Sequence, residues 1–415
     1  MIGKLLLLAV SVGMALTAAD WVVRVTDVGF RPLRSAANAD TVVESPEFRI
    51  HVHTNALGFR ERRLPGPKAP GTRRIVVVGD SFTYGYGVEE DEAYPRVLEG
   101  LLPGVEVVNL GVPATCPLDY AANFEDVGRA YEPDLVLVGL MANDVIDIRY
   151  LRERGGRLLS SLLHQEQDRL AVALPLWKRV PGRLWPDLYV FASGVVRGRA
   201  GERTPAAREP DDGRAPSTAP PPERWKEVLH ALAARYRDVD GVERRLAALP
   251  PERLGRIRTL LAAGRESDEE GQAMSELLAL VEPRHFVDLL GLPPTFAAAW
   301  NEATRLLARI AAAARRSGAE TMIVYVPGAQ EVTSARLELL ASRGFEVDHG
   351  SLAEPELIKR LQRFGADAGI PVVDLRPPLR AHRDEALYFP EDGHWTPRGH
   401  RVAAEAIAAA IRGRL

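Results

Sequence analysis

Apolar and polar positions change their period several times along the chain. From residue 74, short continuous apolar runs at Arg74–Val78, Val105–Val108 and Leu135–Gly139 alternate with stretches of helical spacing at Tyr94–Leu102 and Leu118–Tyr131. Runs this short, rich in Val, Ile and Leu, read as buried strands. The alternation resumes with a strand at Thr321–Val326, a helix near Glu354–Ala366, a strand at Pro371–Asp374 and a last helix from Pro397 to about Arg412. Strands alternating with helices predict an α/β fold, a central parallel sheet covered on both faces as a three-layer α/β/α sandwich. Upstream, Phe48–His53 alternate like a short half-buried strand and lead into a Pro/Gly-rich link through Gly71.

Between residues 149 and 294 the α/β pattern breaks off, which predicts a long, mostly helical insertion into one domain split into residues 74–148 and 295–415. Trp225–Val281 reads as short amphipathic helices. Residues 199–223, poor in apolar side chains and rich in Pro, Gly and charge, are expected to be disordered. The segment "LPLWKRVPGRLWPDLYVF" mixes aromatic, apolar and basic residues in the manner of a membrane surface or of packing against the sheet.

The first 23 residues differ in kind. Lys4 precedes an apolar stretch from Leu5 to Ala19 that ends in small residues, as in an export signal. Trp21–Val23 prolong it toward the ~20 residues that span a bilayer, so the expectation is a signal peptide or an uncleaved amino-terminal anchor, and a domain outside the cytoplasm. Residues 24–73 then form an extension and linker.

Composition narrows the remaining classes. The 415 residues are 46% hydrophobic and 26% charged, a normal globular balance, and a net charge of −3 without long basic runs argues against a nucleic-acid partner. Cys116 is the single cysteine, so neither an intrachain disulfide nor a Cys-based zinc cluster is available. His51 and His53 share one face of a strand but lack a nearby third ligand, and "DVDGVERR" from Asp238 lacks the later ligands of a calcium loop. No metal or organic cofactor is expected.

Chemistry concentrates where strands end. The first strand runs into Gly79-Asp80-Ser81, a site for either a helix-capping serine or a nucleophile at the carboxyl edge of the sheet. Thr83 stands where the Gly-x-Ser-x-Gly elbow needs its last glycine, and no Gly-Lys-Ser/Thr phosphate loop is present. A serine hydroxyl needs a base, and "EDGHWTP" places Asp392 and His394 two residues apart just before a helix start. An oxyanion needs donors, which Gly111 and Asn143 offer in loops after two further strands. Taken singly, each is as readily a cap, a turn or a surface residue.

Taken together, the ordered blocks Gly79-Asp80-Ser81, Gly111, Asn143-Asp144 and Asp392-x-His394 resemble the SGNH (GDSL-type) hydrolase superfamily, exported bacterial type. The resemblance covers Arg74 to about Asp147 and Thr321 to the carboxyl terminus, and it implies an SGNH/flavodoxin-like sandwich. By position it makes Ser81 the nucleophile and one oxyanion donor, Gly111 and Asn143 the other donors, His394 the base and Asp392 its partner. One block departs from the family pattern: Met141 stands where Gly-x-Asn-Asp has its glycine. The upstream "TNALGFRERR" resembles a segment found in many exported members and carries no assigned catalytic role. Tyr84 and Tyr86 are candidates to line the pocket, and His400 in the last helix is expected to lie away from it.

The expected activity is that of an exported serine esterase cleaving an acyl group, foremost O-acetyl, from a cell-envelope or exported glycan or another small ester, through an acyl-enzyme. O-acyl transfer, lipid ester cleavage and a non-catalytic polysaccharide-binding or assembly role remain open alternatives. The membrane enters as a partner through the amino-terminal segment.

Overall fold

A two-stranded antiparallel hairpin, β1 (Asp40–Glu44) and β2 (Arg49–His53), precedes the main sheet in the computed structural model. The structure describes residues 10–19, 21–22, 30, 32–149, 224–236, 238–263, 270–348, 350 and 354–414. Residues 10–19 and 21–22 are helical, and among the described residues no helix is long and apolar enough to cross a membrane. The segment expected to be disordered and the aromatic-basic segment 174–191 lie outside the described residues.

The main sheet contains β3 (Arg73–Val78), β4 (Val105–Asn109), β5 (Leu135–Met141), β6 (Glu320–Val326) and β7 (Val372–Asp374). All neighbours pair in parallel, in the order β4-β3-β5-β6-β7. This is the flavodoxin-like order, in which the chain reverses its direction of travel across the sheet between β3 and β5 and opens a crevice at their carboxyl ends. Ile75 sits opposite Val107 on one side and Leu135 on the other. Ile75, Val77, Val107, Leu137, Met322 and Val324 join Leu98, Val402 and Ile407 in one core cluster, and burying each such side chain contributes about 1.5–3 kcal/mol. Helices Tyr94–Leu101 and Pro397–Ile411 pack together over this face, while Pro117–Asp126, Asn143–Arg149 and Ala297–Arg316 pack together as the third layer.

β4 is an edge strand, and its outward N–H groups are covered. Glu99 accepts the Val107 N–H at 2.7 Å and Glu61 accepts the Asn109 N–H at 2.8 Å, which denies the edge to another strand. Glu61 comes from "TNALGFRERR" and is itself buried against Arg96. Its neighbour Arg60, also buried, donates to the carbonyls of Gly85 and His51 at 2.7 and 3.0 Å. The segment is therefore a brace between hairpin, edge strand and the turn that follows Ser81.

Several elements depart from the sequence reading, the helices Asn143–Arg149, Ser334–Ser342 and Arg376–Ala381 among them. β1 is exposed at nearly every position and so carries no alternation to detect. The helix expected through Tyr131 stops at Asp126 and gives way to a 3₁₀ turn at Gly128–Tyr131, where Gly128 packs so closely on Phe124 that a Cβ would lie 2.6 Å from its ring. The twenty-residue helix Ala297–Arg316 was not anticipated: its buried stripe is largely alanine, which contrasts weakly with polar neighbours. Within the insertion, the described residues form helices at Arg224–Tyr236, Val239–Ala247, Pro251–Ala263, Glu270–Val281 and His285–Gly291.

Candidate active site

β3 delivers its chain to the crevice through a tight turn. A Cβ on Gly79 would lie 2.0 Å from Thr83 Oγ1, so only glycine fits between strand and turn. Asp80 caps the one-turn helix Ser81–Tyr84 by accepting the Phe82 N–H at 3.0 Å, and Gly85 ends it at φ 82° in the left-handed region. Capping thus falls to Asp80, which leaves the Ser81 hydroxyl available. Its Oγ lies 2.7 Å from His394 Nε2.

The imidazole is fixed from its other side. His394 Nδ1 lies 2.5 Å from Asp392 Oδ1, which also accepts the His394 backbone N–H at 3.0 Å. A carboxylate at Nδ1 selects the tautomer protonated there and leaves Nε2 as the acceptor for the serine proton. Burial pushes the Asp392 carboxyl up, but the hydrogen bonds and charge of His394, with Arg336, outweigh it and hold it below its ordinary value. The rings of Phe82 and Tyr86 flank His394 with centroids 4.9 and 5.0 Å away. Tyr86 thus stands at the site, whereas Tyr84 turns to the Arg60 guanidinium, 5.4 Å from its ring.

Asn143 opens the helix Asn143–Arg149 directly after β5, across the crevice from Ser81. Its Oδ1 is buried without a hydrogen-bond partner among the described residues, and its amide lies beside Asp80. Burial pushes the Asp80 carboxyl up, against the pull of the Phe82 N–H, His394 and the Asn143 amide. The following Asp144 is fully buried and accepts from Tyr120 Oη at 2.6 Å and from the Met141 N–H at 2.8 Å. It is a structural clamp. Met141 is absent from the non-glycine residues with positive φ, so the loss of the family's glycine there imposes no backbone strain.

Gly111 is placed differently from expectation. Its N–H donates to Asn109 Oδ1 at 2.9 Å and is not a free oxyanion donor in this structure. The glycine is required by packing instead, because a Cβ would lie 2.4 Å from the Tyr84 backbone nitrogen. Asn109 in turn donates to the Thr83 carbonyl at 2.9 Å, tying this loop to the Ser81 helix.

The remaining candidates have structural partners. His51 pairs with Glu89 at 3.4 Å and His53 with Asp40 at 3.2 Å. Asp238 caps the helix Val239–Ala247 through the Gly241 N–H, and Cys116 is buried. Among the described residues no group of three or more His, Cys, Asp or Glu side chains is placed to hold a metal ion. His400 sits behind the site, its ring 5.4 Å from that of Trp395 and its Nδ1 accepting the Tyr94 N–H at 3.2 Å.

Sequence reading missed the supports of the Asp392 loop. Glu47, at the tip of the hairpin, accepts the N–H groups of Glu391 and Asp392, and Arg336 donates to the carbonyls of Pro390 and Glu391 at 2.7 and 2.9 Å. Neither lies in a motif or shows a periodic signal.

Comparisons with known proteins divide along the same line as the site. The family described as GDSL-like lipase/acylhydrolase matches residues 75–239, which hold Ser81, Gly111 and Asn143. The family described as SGNH hydrolase-like domain, acetyltransferase AlgX matches residues 291–415, which hold Asp392 and His394. The chain is similar to the alginate biosynthesis protein AlgX of Pseudomonas aeruginosa, 30% identical over 118 residues, 28% of this chain and 23% of that relative's length. Among solved structures, a putative lipolytic protein of the G-D-S-L family from Desulfitobacterium hafniense is 10% identical with a TM-score of 0.34, over 81% of this chain and 99% of that one. An acetyl xylan esterase is 9% identical with a TM-score of 0.36, over the same shares of the two chains, 81% and 99%.

Proposed function

Because the chain belongs to the SGNH (GDSL-type) hydrolase superfamily, we propose that it is an extracytoplasmic serine esterase acting on acyl, foremost acetyl, esters of a glycan, and held at a membrane by its amino-terminal segment. The observation that carries the reading is the continuous line Ser81 Oγ, His394 Nε2, His394 Nδ1, Asp392 Oδ1, with links of 2.7 and 2.5 Å.

Ser81 Oγ attacks the ester carbonyl carbon while its proton passes to His394 Nε2. The imidazolium that forms is stabilised by Asp392. Negative charge on the carbonyl oxygen is met by the Ser81 N–H, at the free amino end of its helix, and by the Asn143 side-chain amide. Collapse of the tetrahedral intermediate breaks the bond to the alcohol, which leaves with the proton from His394. The acyl-enzyme is then resolved by an oxygen nucleophile that His394 deprotonates.

Water in that second step gives hydrolysis, and a sugar hydroxyl gives transfer. The match of residues 291–415 to a domain described as an acetyltransferase favours carrying transfer as the second reading. The glycan assignment draws on the relative's role in alginate biosynthesis, and the location on the apolar amino-terminal run.

The test is a fluorophosphonate probe together with a soluble acetyl donor, with and without a saccharide acceptor. Labelling of Ser81, and acetate or acetylated saccharide released by wild type but not by Ser81→Ala, is the expected result. Equal turnover by Ser81→Ala overturns the mechanism.

A further inference from the structure

The segment Pro390–Gly393, which carries Asp392, is a turn outside the named strands and helices, closed by the Gly393 N–H on the Phe389 carbonyl, and the backbone groups at its tip need partners other than a ladder to fix them. Two side chains supply that role from different parts of the fold. Arg336 takes two of its carbonyls, as described above, and Arg343 pairs with the Glu391 carboxylate. Glu47 takes its donors: Oε1 accepts the Glu391 N–H at 3.0 Å and Oε2 accepts the Asp392 N–H at 2.7 Å.

The hairpin tip that presents Glu47 is itself held. Ser45 Oγ accepts the N–H groups of Glu47 and Phe48, both at 3.2 Å, and the Ser45 N–H donates to the Phe48 carbonyl at 2.8 Å. The Phe48 ring packs against Tyr86 and Phe389 with centroids 5.4 and 5.2 Å away. Phe389 in turn exchanges backbone hydrogen bonds with His394 and Gly393, both at 2.9 Å. Below the tip, Ile50 and Val52 of β2 are buried in one cluster with Tyr84.

We propose that Glu47 is a positioning residue of the active site: its carboxylate, by accepting two consecutive N–H groups, fixes where Asp392 presents Oδ1 to His394 Nδ1. The inference rests on the esterase reading. It also makes the hairpin, which lies before both matched regions, a working part of the site. Two neighbouring N–H groups require two acceptor oxygens at one spacing, which a carboxylate supplies. Gln keeps one acceptor and turns an NH₂ donor toward the second N–H, and Asp is shorter by one methylene and reaches neither.

The variants Glu47→Gln, Glu47→Asp and Glu47→Ala are compared in the full chain for kcat, KM, fluorophosphonate labelling rate at Ser81 and thermal midpoint. Displacement of a catalytic group by about 1 Å can cost ~10²-fold. Glu47→Ala is therefore expected to lose about 10-fold or more in kcat and in labelling rate, with KM within about two-fold, Glu47→Asp to behave like it, and Glu47→Gln to fall between them and wild type. Glu44→Gln, at an exposed carboxylate of the same hairpin, keeps wild-type values. Wild-type kcat and labelling in Glu47→Ala overturn the proposal, and so does a raised KM with unchanged kcat. Should Glu47→Ala not fold, Glu47→Gln decides, with full activity counting against. Activity surviving in Ser81→Ala would instead remove the esterase reading itself.

Discussion

Ser81 Oγ and His394 Nε2 stand 2.7 Å apart although 313 residues separate them. The sheet order explains the meeting. Ser81 leaves the carboxyl end of β3, next to the switch point, and His394 comes from the loop before the final helix, which packs against helix Tyr94–Leu101 on the same face. Phe82 and Trp395, the residues that follow each partner, meet edge to face at 5.0 Å. The two halves of the candidate site are therefore joined by apolar packing between the residues next to Ser81 and His394.

Ser81→Ala and His394→Ala should each remove nearly all ester cleavage while leaving folding intact, because both side chains are partly exposed at the crevice and anchor little of the core. Asp392→Asn should lose less than either, since in the proposed mechanism Asp392 orients and stabilises but transfers no proton. Steady-state kinetics beside circular dichroism on each variant checks this, and a fully active His394→Ala would remove the base from the mechanism.

Asn143→Ala should lower kcat by about 10²-fold or more with KM nearly unchanged, the signature of a donor that acts on the developing oxyanion. The value is informative here because the Gly111 N–H is already committed to Asn109, which leaves Asn143 a larger share of the stabilisation. A raised KM at constant kcat would instead mark Asn143 as a ground-state contact.

Much of this arrangement was legible in the sequence, and the parts that were not share a physical reason. β3, β5 and β6 announced themselves because from Ile75, Leu135 and Met322 onward both faces are buried and the runs are apolar. Ser81, Asn143 and His394 were legible because each follows a strand or precedes a helix start. Gly111, expected as an oxyanion donor, instead gives its N–H to Asn109: a glycine signals close approach, and the sequence does not say whether the approaching group is a ligand or the Tyr84 backbone. Glu47 and Arg336 were invisible, since a side chain that bonds to backbone 345 or 54 residues away leaves no local pattern. The role of "TNALGFRERR" as a brace emerges only once Glu61 is placed on the edge of β4.

His400 predicts an acid sensitivity. Burial, with the charges of His394 and Arg60, pushes its imidazole from 6.5 down to about 3. The folded state thus keeps His400 neutral while the unfolded chain protonates it below pH 6.5. Its contribution is present above that pH and is lost as pH falls toward about 3, on the order of 2 kcal/mol by pH 5. His400→Asn keeps an acceptor for the Tyr94 N–H and never charges, so its unfolding midpoint in urea should vary less between pH 7 and 5 than that of wild type. An unchanged slope would show that His400 is not the group responsible.

Substrate preference separates the glycan reading from its lipid rival. An acetyl ester presents a small acyl group on a large polar alcohol, so selectivity must come from the alcohol side, whereas a long-chain ester needs an apolar trough for its acyl tail. Beside His394 the structure offers Tyr86, packed on Phe48, which in turn meets Phe389, and partly exposed aromatic rings of this kind suit the C–H face of a sugar as well as a short acyl group. The enzyme lacking residues 1–23 should therefore release acetate from acetylated saccharides with higher kcat/KM than it shows toward long-chain acyl esters. Added saccharide should divert part of the acetyl group to a sugar hydroxyl if transfer is the native second step. A strong preference for long chains would overturn the glycan assignment and leave the Ser81, His394 and Asp392 chemistry standing, because the reacting atoms are the same in both cases and only the walls around them differ.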